Sequence, residues 1–477
     1  MMKSQRSGTA GSQEEVIPVV RGQDAKEEAM RRYPLEPLFE KILSPFERFL
    51  RQTTAGGVVL MVATVLTLVL ANSPWGAFFR QFWDQPFRLE FGGRFLEMPL
   101  RHWINDGLMT FFFLLVGLEL KREVMVGELS SPKDAILPVA GALGGMIVPG
   151  VIYVLLNPSG PAAAGWGIPM ATDIAFAVGI LVLLSWRIPR SLIVFLTALA
   201  IADDIGAVLV IAFFYTTSLD GLALGAAAVL LALLILLNRG GVRRSLPYGI
   251  LGVLLWVALL RSGIHATIAG VLLAFTIPAR PVFSPGQFDF CLTKLQGALH
   301  AEATGPEMQD HPLSDPRMSV IAQNVESVAK AVQSPQQLME HAIGNGVTFF
   351  IIPLFAFANA GVDFAEIRVG EVLAHPVTLG VVLGLVLGKF LGISGAAWLA
   401  AWTGIAQLPS GVGWRQFCGI AWLGGIGFTM SLFISELAFH ENPLLREEAK
   451  VGILLSSALA AAIGLVWLFL SSPRRRS

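Results

Sequence analysis

The sequence predicts an all-α polytopic membrane protein with twelve transmembrane helices, and three observations lead to this prediction. The 477 residues are 54% hydrophobic and only 14% charged, whereas soluble domains carry about 25% charged residues. The mean hydropathy is +0.65. Many apolar runs are close to about 20 residues long, which is the length that crosses the core of a bilayer.

Composition also excludes several classes of protein. The formal net charge is +0, so the chain has no basic footprint for a nucleic acid. Cys291 and Cys418 are the only cysteines, which excludes a disulfide framework and a cysteine-based metal site. The first ~45 residues are polar and contain no short apolar run with a cleavage site, so we expect no signal peptide.

Twelve apolar segments follow one another along the chain, with boundaries uncertain by several residues. They lie at 55–74, 103–121, 135–156, 163–184, 191–215, 221–238, 246–260, 263–278, 345–362, 376–401, 416–436 and 450–470. The predicted organisation is a partly disordered tail at 1–50, spans one to eight at 51–278, a polar cytoplasmic loop at 279–343, spans nine to twelve at 344–471 and a short tail at 472–477.

Basic residues predict how these spans are oriented. Lys and Arg are concentrated in the N-terminal tail, in every second loop and at 474–476, whereas loops such as NPSGPAAAG and YTTSLDG have none. Because loops rich in Lys and Arg stay in the cytoplasm, we expect both termini there. The first external loop is the exception, since it carries Arg80, Arg88, Arg94 and Arg101.

That external loop contains a candidate β-hairpin at 87–98. Its sequence, FRLEF-GG-RFLEM, alternates apolar and charged residues on both sides of Gly92 and Gly93, and a Gly-Gly pair between such arms favours a two-residue turn. The alternative is an irregular amphipathic loop. Because an isolated hairpin is marginal in water, we expect it to pair with another element, for which a second protomer is a candidate.

Four ionisable residues lie deep in apolar spans: Asp173, Asp203, Asp204 and Lys389. Each is unfavourable at the centre of a span by about 2.5–3.5 kcal/mol, and such residues mark ion pathways and proton relays. A silent, paired structural role is the alternative. A structural role would explain one isolated carboxylate, but it explains three carboxylates and a lysine less well.

Two spans are interrupted by residues that loosen a helix. The fourth contains GIPMATDIAFAVGI around Asp173, and the eleventh contains LGGIGFTMS at 423–431. Freed backbone groups in a membrane must line a cavity or be buried in protein, and paired interruptions in the two halves of a chain indicate a transporter site. The GIG at 425–427 has no strand or βαβ unit around it, which argues against a nucleotide loop.

The adjacent Asp203 and Asp204 are predicted to have different roles, because neighbours on a helix do not face the same partner. One can face a cavity and hold a cation, while the other faces Lys389. Burial and mutual repulsion favour the protonated form of a carboxylate. Since small hard cations prefer oxygen ligands, carboxylates with Thr172 or freed carbonyls could hold Na⁺ in competition with protons.

At these residues the chain resembles the NhaA-type bacterial sodium/proton antiporters. The matching stretches are INDGLMTFFFLLVGLELKRE, GGMIVP, ATDIAFAVG, ALAIADDIGA, SGIHATIAG, PLFAFANAGV, GKFLGIS and GIGFTMS. The resemblance implies inverted-topology repeats, broken and crossing fourth and eleventh spans, a periplasmic hairpin that makes a homodimer, and a bacterial inner-membrane location. It also implies electrogenic exchange of internal Na⁺ or Li⁺ for external protons, with no enzymatic activity, cofactor or nucleotide.

By the same resemblance, Asp204 is the principal cation ligand and Asp203 pairs with Lys389 when the cation is absent. Asp173 and Lys389 would balance opposed helix-end dipoles. The supporting and helix-break positions are Thr172, Asp173, Lys389 and Gly427.

The resemblance further implies activation at alkaline pH by groups at the cytoplasmic mouth. The matching candidates are Glu119, Arg122, Glu123, His265, Glu340 and His341. The alternatives are snorkelling interfacial charges in ELKRE and a structural role for His265. Two features depart from the family pattern in this region: Gly344 stands where the family can carry a second histidine, and the 279–343 loop is longer than expected by ~45 residues.

Two other functions fit the sequence less well than exchange does. A passive cation channel usually builds its filter from a ring of identical chains, which twelve spans with one internal site do not favour. An intramembrane aspartyl protease needs two aspartates from separate helices that share a proton, whereas Asp203 and Asp204 are adjacent; Asp173 could in principle partner one of them. The sequence contains no nucleotide-binding motif, which argues against a primary pump.

Overall fold

The computed structural model describes residues 55–91, 94–216, 219–303, 316–363 and 369–472, and these are mostly helical. The predicted tail at 1–50 lies outside the described residues. The elements are α1 (Ala55–Ala71), α2 (Gly76–Trp83), β1 (Pro86–Phe91), β2 (Arg94–Pro99), α3 (Leu100–Val126), α4 (Pro132–Leu156), a 3₁₀ helix (Pro161–Met170), α5 (Ile174–Leu183), α6 (Arg190–Phe214), α7 (Gly221–Arg239), α8 (Ser245–Ser262), α9 (Ile268–Thr276), α10 (Pro285–Ala303), α11 (Pro316–Ala331), α12 (Pro335–Asn359), α13 (Val369–Ala374), α14 (Pro376–Trp402), α15 (Trp414–Leu423), α16 (Phe428–Ala438) and α17 (Pro443–Ser471).

Within the described ranges, 9 helical segments are long and apolar enough to cross a membrane, or up to 11 if each of two bent helix pairs is one span. The chain is therefore a multi-pass helical membrane protein. Each predicted segment contains a helix, but the eighth contains only α9, of 9 residues. The count of twelve spans and the inverted repeats accordingly stay predictions.

Both bent pairs have local causes in the sequence. α1 and α2 meet at 117°, because Asn72, Ser73 and Pro74 follow the end of α1. α15 and α16 meet at 43° across residues 424–427, which are largely glycine and leave backbone groups without helical partners. The second bend lies in one of the two spans that the sequence predicts to be broken.

Two antiparallel strands lie in the stretch where a hairpin is predicted. Pro86 is opposite Pro99, and Arg88 is opposite Glu97. The turn residues 92–93 lie outside the described ranges. The indole of Trp103 donates a hydrogen bond to the carbonyl of Phe87 at 3.1 Å, so β1 is attached to the start of α3.

The buried apolar side chains form clusters around aromatic contacts between distant helices. Phe433 of α16 lies 5.4 Å from Phe113 of α3 and 6.1 Å from Phe355 of α12, measured between ring centroids. Phe195 of α6 lies 5.0 Å from Phe417 of α15. These contacts pack the bent pair α15–α16 against three other helices.

α4 and α14 cross with their backbones in contact. A Cβ atom on Gly392 would overlap the backbone carbonyl of Gly144, and a Cβ atom on Gly144 would overlap the carbonyl of Gly392. A Cβ atom on the neighbouring Gly145 would lie 3.5 Å from Cδ of Lys389. This crossing therefore sets the position of the buried lysine.

The Gly392→Ala variant is expected to lower the stability of the folded protein by about 1–3 kcal/mol, because a backbone atom cannot rotate away from the added methyl group. Thermal unfolding of the purified protein in detergent measures this change. Gly395→Ala is the matched control, since nothing lies within 4 Å of a Cβ atom at that position. Equal melting temperatures for the two variants would contradict the predicted close contact.

The polar 279–343 loop contains two helices, α10 and α11, that the sequence analysis did not predict. The backbone N–H groups of Val282 and Phe283 donate to the carbonyl of Ala331 at 3.0 and 2.9 Å, so the two ends of this helix pair are adjacent. Apolar side chains on both helices are exposed, including Phe290 at 60% and Val320 at 54%. Residues 285–303 and 316–331 of this loop are thus helical, while residues 304–315 lie outside the described ranges.

Candidate functional site

The two interrupted spans meet through their irregular segments. The first interruption is at 171–173, between the 3₁₀ helix and α5, and the second is at 424–427. The backbone N–H of Asp173 donates to the carbonyl of Ile426 at 2.7 Å, and the hydroxyl of Thr172 donates to the carbonyl of Gly424 at 2.9 Å. Each interruption thus satisfies polar backbone groups that the other leaves without a helical partner.

Gly427 allows this close approach. A Cβ atom there would lie 2.9 Å from Cδ2 of Leu385 and 3.0 Å from the carbonyl oxygen of Ala171, besides overlapping the hydroxyl of Ser431. Ser431 itself donates to the carbonyl of Ile168 at 2.7 Å. The predicted helix-break role of Gly427 therefore has a steric explanation at this position.

Asp173 is held by the first turns of two half-helices. One carboxylate oxygen accepts from the backbone N–H of Phe176 at 3.0 Å, which caps α5. The other accepts from the backbone N–H of Thr429 at 3.0 Å and from its hydroxyl at 2.6 Å. A carboxylate is favourable beside helix N-termini, so Asp173 joins α5 to α16. Thr429, which the sequence analysis did not select, is its main partner.

Asp203 and Lys389 form a buried ion pair. The ammonium of Lys389 contacts Oδ2 of Asp203, and both side chains are 1% exposed. Lys389 also donates to the hydroxyl oxygen of Thr172 at 3.0 Å. The lysine thus links α6 and α14 to the first interruption. The pairing that the resemblance implies is present in the structure.

Asp204 is the carboxylate with the fewest partners at this site. It is 1% exposed, and its Oδ1 atom has no hydrogen-bond donor within the described part of the chain; the same holds for Oδ1 of Asp203. A buried acceptor without a donor is destabilising, and it is also the group that a desolvated cation requires. Among the described residues no three His, Cys, Asp or Glu side chains converge on a metal position. A cation here would therefore need neutral oxygens besides these two carboxylates.

Most of the ELKRE candidates meet the start of α12. Arg122 forms an ion pair with Glu340 and lies 3.7 Å from Glu123. Glu119 is close enough to Glu340 and Arg122 to interact with both electrostatically. His341 is exposed and its Nδ1 lies 2.8 Å from the carbonyl of Gln337, so its ring contact is with its own helix.

His265 lies elsewhere, between α8 and α9. Its Nε2 is 3.4 Å from Oδ1 of Asp106, its Nδ1 is 2.8 Å from the hydroxyl of Thr267, and its ring meets Phe433 edge-on at 5.5 Å. These contacts fit both of the roles proposed for His265, the pH-responsive one and the structural one. The sequence analysis did not select Asp106, although it lies within the INDG motif.

Two polar cavities lie beside the first two turns of α6. One has a volume of about 710 Å³ and is lined by residues that include Glu128, Asp134 and Ser191. The other is about 500 Å³ and includes Thr197. Both reach Ala198, which precedes Asp203 by little more than one turn of helix.

Comparison with known proteins identifies the family. The model of the family described as Na⁺/H⁺ antiporter 1 matches residues 47–468. The chain is 61% identical to the Na⁺/H⁺ antiporter NhaA of Syntrophobacter fumaroxidans over 451 residues, covering 94% of this chain and 95% of that protein. It is 56% identical to the Na⁺/H⁺ antiporter NhaA of Acidithiobacillus ferrooxidans, covering 91% of this chain and 99% of that protein. The relatives are thus named as transporters and not as enzymes, and the chain belongs to the Na⁺/H⁺ antiporter 1 family.

Proposed function

We propose that the protein exchanges cytoplasmic Na⁺ or Li⁺ for external protons by alternating access, with Asp203 and Asp204 as the binding residues. The observation that carries the proposal is a pair of adjacent buried carboxylates, each with one oxygen lacking a donor in the described structure. A membrane interior stabilises such oxygens only when they bind a proton or a cation. Binding of one excludes binding of the other, which is the requirement for coupled exchange.

In this proposal Lys389 is a competitor for Asp203 and not a ligand of the cation. Its ammonium occupies Oδ2 of Asp203 when no cation is bound. A cation bound by Asp204 also attracts the carboxylate of Asp203, and this weakens the contact between Asp203 and Lys389. If two acids release protons for one monovalent cation, each cycle moves net charge, so the exchange is electrogenic.

Asp173 has a supporting role in this proposal. Both of its oxygens accept hydrogen bonds from the half-helices, so it is less available to a cation than Asp204 is. Lys389 and Asp173 contribute opposite charges at the crossing, where helix ends of like polarity meet. The same hydrogen bonds argue against an aspartyl protease that pairs Asp173 with Asp203 or Asp204.

We further propose a location and a regulation for the exchange. The protein lies in the bacterial inner membrane with both termini in the cytoplasm, as the distribution of Lys and Arg favours. The cluster of Glu119, Arg122, Glu123 and Glu340 then lies at the cytoplasmic mouth, where a change of charge with pH would alter cation access. Two protomers associate through residues 87–98, a pairing that would extend the exposed strands.

Reconstituted vesicles test the exchange directly. With an imposed pH gradient, added NaCl or LiCl is expected to collapse the gradient, and the rate should respond to an imposed membrane potential. Choline chloride is the control cation. A sodium-dependent change of membrane potential without proton movement would instead identify a channel and would contradict the proposal.

A further inference from the structure

A second set of buried charges lies where α16 meets α17. Oε2 of Glu436 is 3.2 Å from Nη1 of Arg446, and Oε1 of Glu436 is 3.3 Å from Nζ of Lys450. The same Nζ is 3.0 Å from Oε1 of Glu447. The side chains of Glu436 and Lys450 are only 6% and 2% exposed. Arg446 and Glu447 are 22% and 34% exposed, and Arg101 of α3 adds a further positive charge near Glu436.

This charge cluster holds α16 against α17 more firmly than an exposed ion pair would. Removing one partner of a buried pair leaves an uncompensated charge, which is strongly unfavourable. Residues 424–427, on the other side of α16, are held by hydrogen bonds from the first interruption and not by an ion pair. α15 is attached to α17 without an ion pair: the indole of Trp467 donates to the carbonyl of Arg415 at 2.7 Å, and Gly419 packs closely against Leu468.

α16 connects the charge cluster to the crossing of the broken spans. The helix has 11 residues and is therefore about 16 Å long. Thr429, in its first turn, donates two hydrogen bonds to Asp173. Glu436 follows seven residues later, about two turns along the same side of the helix. A short rigid helix thus has one end on Asp173 and the other on α17.

We propose that Glu436 is a positioning residue for ion exchange. Together with Arg446 and Lys450 it ties α16 to α17, and this tie keeps Thr429 against Asp173. The inference rests on the proposed exchange function, but it assigns residues that do not belong to the aspartate pair. Loss of the tie lets α16 shift, which slows the conformational cycle without removing a cation ligand.

The Glu436→Gln variant tests the tie with two measurements on the full-length protein. Amide hydrogen exchange in α16 is expected to become about tenfold faster, while exchange in α15 stays unchanged. The maximal rate of Na⁺/H⁺ exchange per folded transporter is expected to fall about tenfold, with the KM for Na⁺ within about twofold of the wild type. The two measurements are independent, because hydrogen exchange does not require transport.

Matched variants separate positioning from general stability. Glu441→Gln removes an 88% exposed carboxylate nearby and should behave as the wild type, while Glu436→Asp keeps the charge and should recover most of the rate. If Glu436→Gln does not fold, the same two measurements on Glu436→Asp decide, with smaller changes expected in α16 alone.

Three outcomes would overturn the inference. Unchanged protection of α16, equal loss of protection in α15 and α16, or an altered KM at an unchanged maximal rate would each exclude a positioning role. The Asp204→Asn variant, measured in parallel, tests the exchange site itself. If it loses exchange while Glu436→Gln matches the wild type, the tie is refuted and the proposed function stands.

Discussion

Asp204→Asn is expected to abolish Na⁺-dependent proton movement almost completely. The amide keeps the size of the side chain but cannot take up and release a proton, and it offers a cation no negative charge. Asp204 is 1% exposed. No other carboxylate at the crossing can replace it, because Asp203 is paired with Lys389 and Asp173 accepts hydrogen bonds on both of its oxygens. Collapse of a pH gradient in reconstituted vesicles after addition of NaCl measures the effect.

The Asp204→Asn variant should fold as the wild type does, so a loss of exchange can be distinguished from a loss of structure. Oδ1 of Asp204 has no donor in the described structure, so the amide breaks no hydrogen bond seen there. Asp220→Asn is a suitable control, because the amide oxygen can still accept the capping bond from Leu222 at 2.9 Å. Exchange at the wild-type rate in Asp204→Asn would refute the assignment of the cation ligand.

Lys389→Ala is expected to have the second large effect, and mainly on stability. It leaves the carboxylate of Asp203 buried without its cation, a change that destabilises proteins by about 3–5 kcal/mol. It also removes the hydrogen bond to Thr172 and leaves a cavity beside Gly145. The pH dependence of exchange should change while the preference between Na⁺ and Li⁺ is retained, since the lysine is not a ligand. Thermal unfolding and exchange rates over a pH series measure these effects.

A second substitution identifies the cause of that instability. Asp203→Asn in the Lys389→Ala background removes the uncompensated charge and should recover part of the lost melting temperature. A Lys389→Ala single variant with the melting temperature of the wild type would show that the ion pair contributes nothing to the fold. A lost preference between Na⁺ and Li⁺ would instead indicate that the lysine shapes the cation site.

The aspartate pair and its lysine are predictable from the sequence because charges are conspicuous in apolar runs. The interruptions are predictable for a related reason, since Gly and Pro are uncommon at mid-span unless the helix is broken. Thr429 is not predictable in this way. A threonine can satisfy its hydroxyl within its own helix, and nothing in GIGFTMS distinguishes it from Ser431 until the two spans are seen to cross.

The burial of Glu436 and Lys450 could not be predicted from the sequence. They lie at the ends of the predicted segments 416–436 and 450–470, where charges normally extend towards the membrane surface. Only the packing of α16 on α17 buries them. In the predicted eighth segment, Gly263 has φ 84° and ends α8, and residues 264–267 form no regular helix before α9 begins at Ile268.

The α10–α11 helix pair begins and ends at adjacent points of the structure, which bears on where the chain tolerates insertions and deletions. Val282, Phe283 and Ala331 meet through backbone hydrogen bonds, so the chain leaves the membrane region and returns to it at nearly the same point. A segment with adjacent ends can be lengthened, exchanged or removed without displacing the helices on either side. A reporter domain inserted between α10 and α11 is therefore expected to leave the transmembrane helices in place.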